Sequence, residues 1–374
     1  MDANNSSTSK MLDENPADRL AAFKKFTVSH PKLLETDAAL ERVIREPGGS
    51  RIIFVIGPSG VGKTTLFKRI STRLATQYKD PDDPGQIPVV AVEAPAASSG
   101  QFSWRHFYVE CLRELRDPIT LRNCARLDLF GDPVPAKERR SEFELRFAVE
   151  TALKHRKTKI VLIDEAHHIS IVASGRRMKD QTEFLKSTGN MTDVTYVLFG
   201  TYDLLQLCNL NGQLANRSTL IHFPRYDARN EKDIETFQNI LLTFQANLPL
   251  EVERDLEADW ESLYIRSIGC VGACKLLLNK AVAAAMEESA KSLTLDHIEH
   301  VAHSLRQCEQ QAKDALHGEL RFVETDDQLE SLRNLLGLTG YHDSGKNEGS
   351  KNGAKRNAKP GQRKPTRDKV GQPA

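Results

Sequence analysis

No apolar run in this chain approaches the length needed to span a bilayer, and the polar start, Met1 to Asn15, lacks the pattern of a secretory leader. An excess of either charge is equally lacking. Across 374 residues the formal net charge is +1, so no global field draws the chain to nucleic acid, and any such contact must come from a local patch. Cysteine offers no disulfide framework: Cys111, Cys124, Cys208, Cys270, Cys274 and Cys308 are scattered, mostly in apolar stretches. That usage fits reduced, buried thiols in a cytosolic protein. Cys270 and Cys274 stand one helical turn apart, but no second pair shares their spacing, which argues for packing over a metal site. His297, His300 and His303 recur every third residue and read as the solvated face of a helix. These absences predict a soluble, cytoplasmic protein, with no membrane partner, long enough for one large domain or two moderate ones.

What is present is a full phosphate-binding loop, Gly57-Pro58-Ser59-Gly60-Val61-Gly62-Lys63-Thr64-Thr65, after the β-branched run Ile52 to Ile56. A buried strand feeding a glycine-rich turn and then a helix, Leu66 to Leu74, lets backbone N–H groups converge on phosphate oxygens. Lys63 should reach the β- and γ-phosphates and the Thr64 hydroxyl should sit on Mg²⁺, so ATP with Mg²⁺ is the expected cofactor pair. Further along, Lys159 to Ile163 is apolar on both faces, as in a buried parallel strand, and ends in Asp164-Glu165-Ala166-His167-His168. An Asp there can hold Mg²⁺ through water, and the adjacent Glu can orient or deprotonate the attacking water. Hydrolysis is therefore chemically possible, beyond binding alone.

Further strands are expected at Val89 to Val92, Thr195 to Phe199 and Thr219 to Phe223, separated by helical patterns over 103–115, 137–155 and 178–188. Two short helices, Ala17 to Phe26 and Asp37 to Arg45, lead into this fold. Strands alternating with helices predict a parallel five-stranded α/β sheet flanked by helices. After Pro224 only helical patterns follow, at Glu231 to Ala246, Asp255 to Ser267, Val271 to Glu287 and Leu295 to Ala312. The expected organisation is a disordered start over 1–15, a nucleotide domain over 16–227, a small all-helical lid over 228–315, a linker or short helix over 316–339, and a disordered basic tail over 340–374.

Asp-Glu-Ala-His suggests a helicase of the second superfamily, but the helical material after residue 224 is too short for a second RecA-like domain. The α/β domain with a helical lid resembles the AAA+ P-loop NTPases. Within that class, Phe184 to Ser187, Val197-Leu198-Phe199-Gly200-Thr201-Tyr202-Asp203-Leu204-Leu205, Gly212 to Ser218 and His222-Phe223-Pro224-Arg225-Tyr226 resemble the TniB/TnsC family. These are AAA+ regulators of DNA transposition related to MuB and IstB, and the resemblance covers roughly residues 25–310, with Ala94-Pro95 included. Thr201, at the end of a strand whose carboxyl end faces the ligand, is the candidate sensor-1 hydroxyl or alternatively a helix N-cap. Arg217 stands where related ATPases project an arginine finger into the neighbouring subunit's site. The chain has Asn216-Arg217 where the family pattern leads one to expect Arg-Arg, which leaves one candidate finger. Lys275 occupies roughly the sensor-2 region.

The resemblance implies a slow, switch-like ATPase that binds duplex DNA, assembles on itself as a ring or helical filament, and delivers a transposase to its target, helped by a target-selector protein of the TniQ type. DNA contacts are expected from the loop Ser98-Ser99-Gly100-Gln101 through Arg105, after the second strand, and from Gly175-Arg176-Arg177 with Lys179, after the strand ending in Asp164. A helicase-loader-like or other DNA-associated AAA+ ATPase, and an ATP-gated scaffold with little hydrolysis, are the alternatives.

Overall fold

The structure is a computed structural model and describes residues 16–46, 51–97, 102–120, 140–170, 193–209 and 218–338. Five strands, β1 (Ile52–Ile56), β2 (Val89–Glu93), β3 (Ile160–Asp164), β4 (Thr195–Gly200) and β5 (Ser218–His222), form one sheet in the order β2-β3-β4-β1-β5. Every pairing is parallel. Both β1 and β3 are buried at all five positions, as expected of central parallel strands covered on two faces. The period-2 alternation sorts their side chains: Ile52, Phe54 and Ile56 face one hydrophobic layer, and Ile53 and Val55 the other.

The first layer packs beneath α4 (Trp104–Glu114) and α5 (Glu142–His155). The second is covered by α2 (Pro31–Arg45) and α3 (Lys63–Gln77). A capping box between Ser141 and Glu144 starts α5 at Glu142, later than the periodicity predicts; the helix expected over 178–188 lies outside the described residues. A 3-10 turn (Ala166–Ser170) follows β3, and the short α6 (Leu204–Asn209) follows β4.

Helices α7 (Glu231–Gln245), α8 (Trp260–Ser267), α9 (Val271–Glu287), α10 (Leu295–Val301) and α11 (Leu305–Leu320) follow the sheet. Three expectations change here. The helix predicted over 295–312 is two helices, because Ala302 is extended and Ser304 opens α11 with its own capping box to Gln307. The region expected to be all-helical contains a two-residue parallel pair, β6 (Glu251–Val252) with β7 (Ser292–Leu293). His297 is no solvated-face residue: its side chain caps α10 through the Thr294 N–H (3.0 Å) and is only 12% exposed.

The first helix, α1 (Pro16–Lys25), packs on the helical half of the protein rather than on the sheet. Phe23 belongs to the core formed by Phe237, Leu241, Phe244, Leu278 and Val282, and the Arg19 guanidinium donates to the Pro249 carbonyl (3.2 Å). Contacts divide the chain into two compact units, Met1–Phe322 and Val323–Ala374. Within the second, α12 (Asp326–Leu335) is capped by Thr325 and Gln328 and buries none of its residues.

Candidate functional site: a phosphate-binding loop under a helical lid

Register explains why the loop and the acids meet. β1 pairs with β4 up to Ile56 opposite Gly200, and β3 pairs with β4 up to Ile163 opposite Leu198. The carboxyl ends of β3, β4 and β1 therefore lie side by side, one strand spacing of about 4.8 Å apart. Asp164, Thr201 and the loop from Gly57 emerge at one edge, where ligands of open α/β sheets bind. The Gly57 N–H donates to the Gly200 carbonyl (3.3 Å), fastening the loop to β4.

The loop turns through Gly60 (φ +78°) and Gly62 (φ +119°), left-handed conformations that a side chain would strain. Gly62 is the N-cap of α3, so the free N–H groups of that helix's first turn face the loop and favour an anion. Lys63 is buried; its ammonium donates to the carbonyls of Gly57 (2.9 Å) and Pro58 (2.8 Å). Burial pulls its pKa down, opposed chiefly by Glu165. The Asp164 carboxyl is raised by burial, against a hydrogen bond from the Thr64 side chain and another from the Glu165 N–H (2.9 Å). A hydroxyl paired with a buried carboxylate is the donor set of a hard cation, and together with the anion-favouring loop it fits Mg²⁺ and a polyphosphate.

Glu165 has φ +50°, a left-handed conformation worth roughly 1–2 kcal/mol of strain in a residue with a side chain. Its carboxylate lies 3.1 Å from Nδ1 of His167, and this contact is the first cause holding its pKa below the usual glutamate value. His168 is anchored separately, through the Ala94 carbonyl (3.0 Å). His167 was missed in the sequence, although its position two residues after Glu165 was a visible signal.

The lid closes directly on the loop. The Ala273 N–H, in the first turn of α9, donates to the Gly60 carbonyl (2.8 Å). Two clefts open on either side of this contact. One, 360 Å³ counted to its open mouth, is lined by Phe26, Val28, Val61, Thr65, Phe244 and Lys275 among others. The other, 970 Å³ counted likewise, runs between Pro58, Ser59, Thr201 and Asp203 on one side and, on the other, Asp314 and Gly318 in the second half of α11 with Arg321 just after it. The role of α11 was not legible in the sequence. It is held by Arg225, whose guanidinium pairs with Glu319 (2.8 Å) and donates to the Tyr264 hydroxyl (3.0 Å).

Thr201 lines the second cleft, its hydroxyl 3.4 Å from the Asp203 carboxylate. Lys275 borders the first cleft and not the one at Ser59 and Thr201, and its Nζ is buried against the Phe23 ring, 2.9 Å from the centroid. Arg105 starts α4 and donates to the Arg140 carbonyl (2.5 Å), while Trp104 and Phe107 pack edge-to-face in an aromatic cluster with Phe102 and Tyr108. Arg217, Ser99, Arg176, Arg177 and Lys179 lie outside the described residues. Among the described residues no group of three or more His, Cys, Asp or Glu is placed to hold a metal ion.

A family model described as an AAA domain matches residues 45–208, from the end of α2 into α6. Together with the parallel five-stranded sheet flanked by helices, it establishes the α/β P-loop fold of the AAA+ ATPases. Among solved structures the chain is similar to the ORC2 protein of Aeropyrum pernix, at 16% identity over 75% of this chain and 72% of that one, with a TM-score of 0.48. It is also similar to Cdc6p from Pyrobaculum aerophilum (16% identity, 73% of this chain and 67% of that one, TM-score 0.42). Drosophila ORC bound to DNA is a third (15% identity, 88% and 85%, TM-score 0.44). No curated protein matches.

Proposed function

We propose that this protein is a Mg²⁺-dependent ATPase whose nucleotide state controls its assembly on duplex DNA, where it recruits and activates a transposase. The observation that carries the ATPase part is the convergence of Lys63, Thr64, Asp164 and Glu165 at one sheet edge beneath a lid helix bonded to Gly60. In this reading Lys63 leaves the Gly57 and Pro58 carbonyls for β- and γ-phosphate oxygens. Backbone N–H groups between Ser59 and Thr65 hold the remaining phosphate oxygens. Thr64 would bind Mg²⁺ directly and Asp164 through water; the ion supplies charge neutralisation at the phosphates. Glu165 orients a water, or takes its proton, as the water attacks the γ-phosphorus; the bond to the ADP oxygen breaks, giving ADP and phosphate. Thr201 contacts the γ-phosphate or that water. Arg217 of a neighbouring copy stabilises the developing charge.

Transposition is supported by sequence alone: the Gly200-Thr201-Tyr202 and Gln213-Leu214-Ala215-Asn216-Arg217-Ser218 segments resemble the TniB/TnsC regulators. A trans-acting finger makes assembly depend on nucleotide, since ATP then sits between copies. DNA phosphates would be met by Ser99, Arg105, Arg176, Arg177 and Lys179, and a selector of the TniQ type would choose the site. Electron microscopy of the full chain with duplex DNA tests this. Rings or filaments should form with a slowly hydrolysed ATP analogue and be absent with ADP; monomers in both states would refute the assembly reading and favour a helicase-loader-like ATPase.

A further inference from the structure

The proposed reaction asks most of Glu165. A carboxylate that steers or deprotonates one water must be held to within about 0.5 Å of its working position, yet a glutamate side chain has several torsions to fix, and this one is 35% exposed. Little around it supplies an anchor. Lys63 donates to the Gly57 and Pro58 carbonyls, and the Thr64 side chain bonds Asp164. The neighbouring strand, β2, fastens this end of β3 by backbone alone: the Ala94 N–H donates to the Asp164 carbonyl (2.8 Å), and neither Ala94 nor Pro95 carries a side-chain donor. Among the described residues, the side chain that reaches the Glu165 carboxylate is His167, with its Nδ1 3.1 Å away.

His167 is itself held firmly. It lies in the 3-10 turn after β3, which is closed by the His168 N–H on the Glu165 carbonyl (3.0 Å) and by the Ser170 hydroxyl on the His167 carbonyl (2.5 Å). The turn rests on the end of β4, where a Cβ at Gly200 would stand 3.1 Å from the His167 nitrogen, so glycine permits the approach. The ring packs on that of His168, centroids 4.5 Å apart, and His168 is tied to the Ala94 carbonyl (3.0 Å). At 19% exposure the histidine is the more buried of the two partners. Its Nδ1 is buried and in close but unaligned contact with the carboxylate, and among the described residues no other acceptor is paired with it. A turn of the freer glutamate completes the bond, as catalytic hydrogen bonds in unliganded sites commonly tighten when substrate arrives.

We propose that His167 is a positioning residue for ATP hydrolysis: its Nδ1–H donates to one oxygen of the Glu165 carboxylate and leaves the other aimed at the attacking water. The inference rests on the ATPase reading of the site. An imidazole with its proton on Nδ1 suffices; that proton stays on the histidine, and the one taken from water stays on Glu165. The left-handed backbone of Glu165 (φ +50°) gains a purpose, since it turns the chain at the strand's end and brings a residue two positions on beside the carboxylate.

Rates of ADP formation by the full chain, in single turnover with Mg²⁺ and duplex DNA, decide it beside separately measured ATP affinities. His167→Ala should slow ADP formation about tenfold or more while ATP affinity changes by less than about twofold. Asparagine branches at Cγ as imidazole does, so His167→Asn returns a donor to the Nδ1 position and should recover most of the rate. His167→Gln places its donor where Nε2 stood and should not. In a Glu165→Gln background, His167→Ala should add no further loss, because the group it positions is gone. Equal losses in the Ala, Asn and Gln variants, or a full further loss in that background, would make His167 a packing residue and overturn the proposal. An unchanged rate in His167→Ala would overturn it too. If the alanine variant does not fold, the Asn and Gln variants carry the comparison. Failure of the underlying reading looks different: the unsubstituted chain would form no ADP, or Glu165→Gln would form it at the unsubstituted rate.

Discussion

Replacing Gly272 by alanine tests whether the lid is fitted to the phosphate loop or merely lies near it. A Cβ at Gly272 would stand 2.6 Å from the Gly60 carbonyl oxygen and 3.4 Å from the Gly62 nitrogen. Ordinary contact requires a retreat of about 0.8 Å. The retreat stretches the Ala273 N–H to Gly60 bond, now 2.8 Å, to about 3.6 Å, beyond a hydrogen bond. Loss of that bond costs about 1 kcal/mol and overpacking costs about 1–3 kcal/mol, offset by roughly 0.5–1 kcal/mol of helix propensity gained by alanine. The net expectation is a loss of about 1–3 kcal/mol in urea denaturation, with weaker ADP binding because the cleft beside Val61 opens. Unchanged or increased stability, with ADP affinity intact, would refute the docking argument, since helix propensity alone predicts that sign.

Three other outcomes follow from the same structure. Glu319→Gln leaves the 9%-exposed Arg225 without its carboxylate and should cost about 1–3 kcal/mol by thermal or urea unfolding; a change under about 0.5 kcal/mol would show that the pair does not hold α11. His30 and His222 are held neutral, each with a pKa lowered to about 4, chiefly by burial and then by Lys32. The unfolded chain takes up these protons first, so the stability they carry is complete above about pH 6.5 and lost as pH falls toward 4, at up to about 1.4 kcal/mol per pH unit for each. Urea midpoints at pH 7, 5.5 and 4.5 check this, and a flat profile would contradict it. Gly318→Ala would drive a Cβ to 2.1 Å from the Tyr202 ring, so α11 should lift from Tyr202, read as a rise in tyrosine accessibility; no change would mean that this helix is not seated there.

The sheet was legible because its strands are β-branched runs of the right length, and its burial on both faces followed from their continuous apolarity. The P-loop and the Asp-Glu pair were legible for the same reason: local letters specify local geometry, and parallel strands carry both to one edge. What escaped depends on contacts distant in sequence. A pair of two-residue strands, Glu251–Val252 with Ser292–Leu293, leaves no period to detect. The break at Ala302 is set by Ser304 and Gln307 capping the next helix, and such a signal is outweighed by an unbroken apolar periodicity. That Phe23 serves the lid, that Lys275 turns into an aromatic cage, and that α11 returns to Tyr202 are tertiary facts no window of sequence contains.

Single-turnover conversion of ATP to ADP by Glu165→Gln, measured beside the unsubstituted protein with Mg²⁺ present, bears most directly on the account. Lys63, Thr64 and Asp164 are untouched by the substitution, so ATP should bind with similar affinity while product formation falls about 100-fold or more. Conversion at the unsubstituted rate would contradict the assignment of the water-activating role to Glu165, and failure of the unsubstituted chain to bind ATP at all would contradict the site.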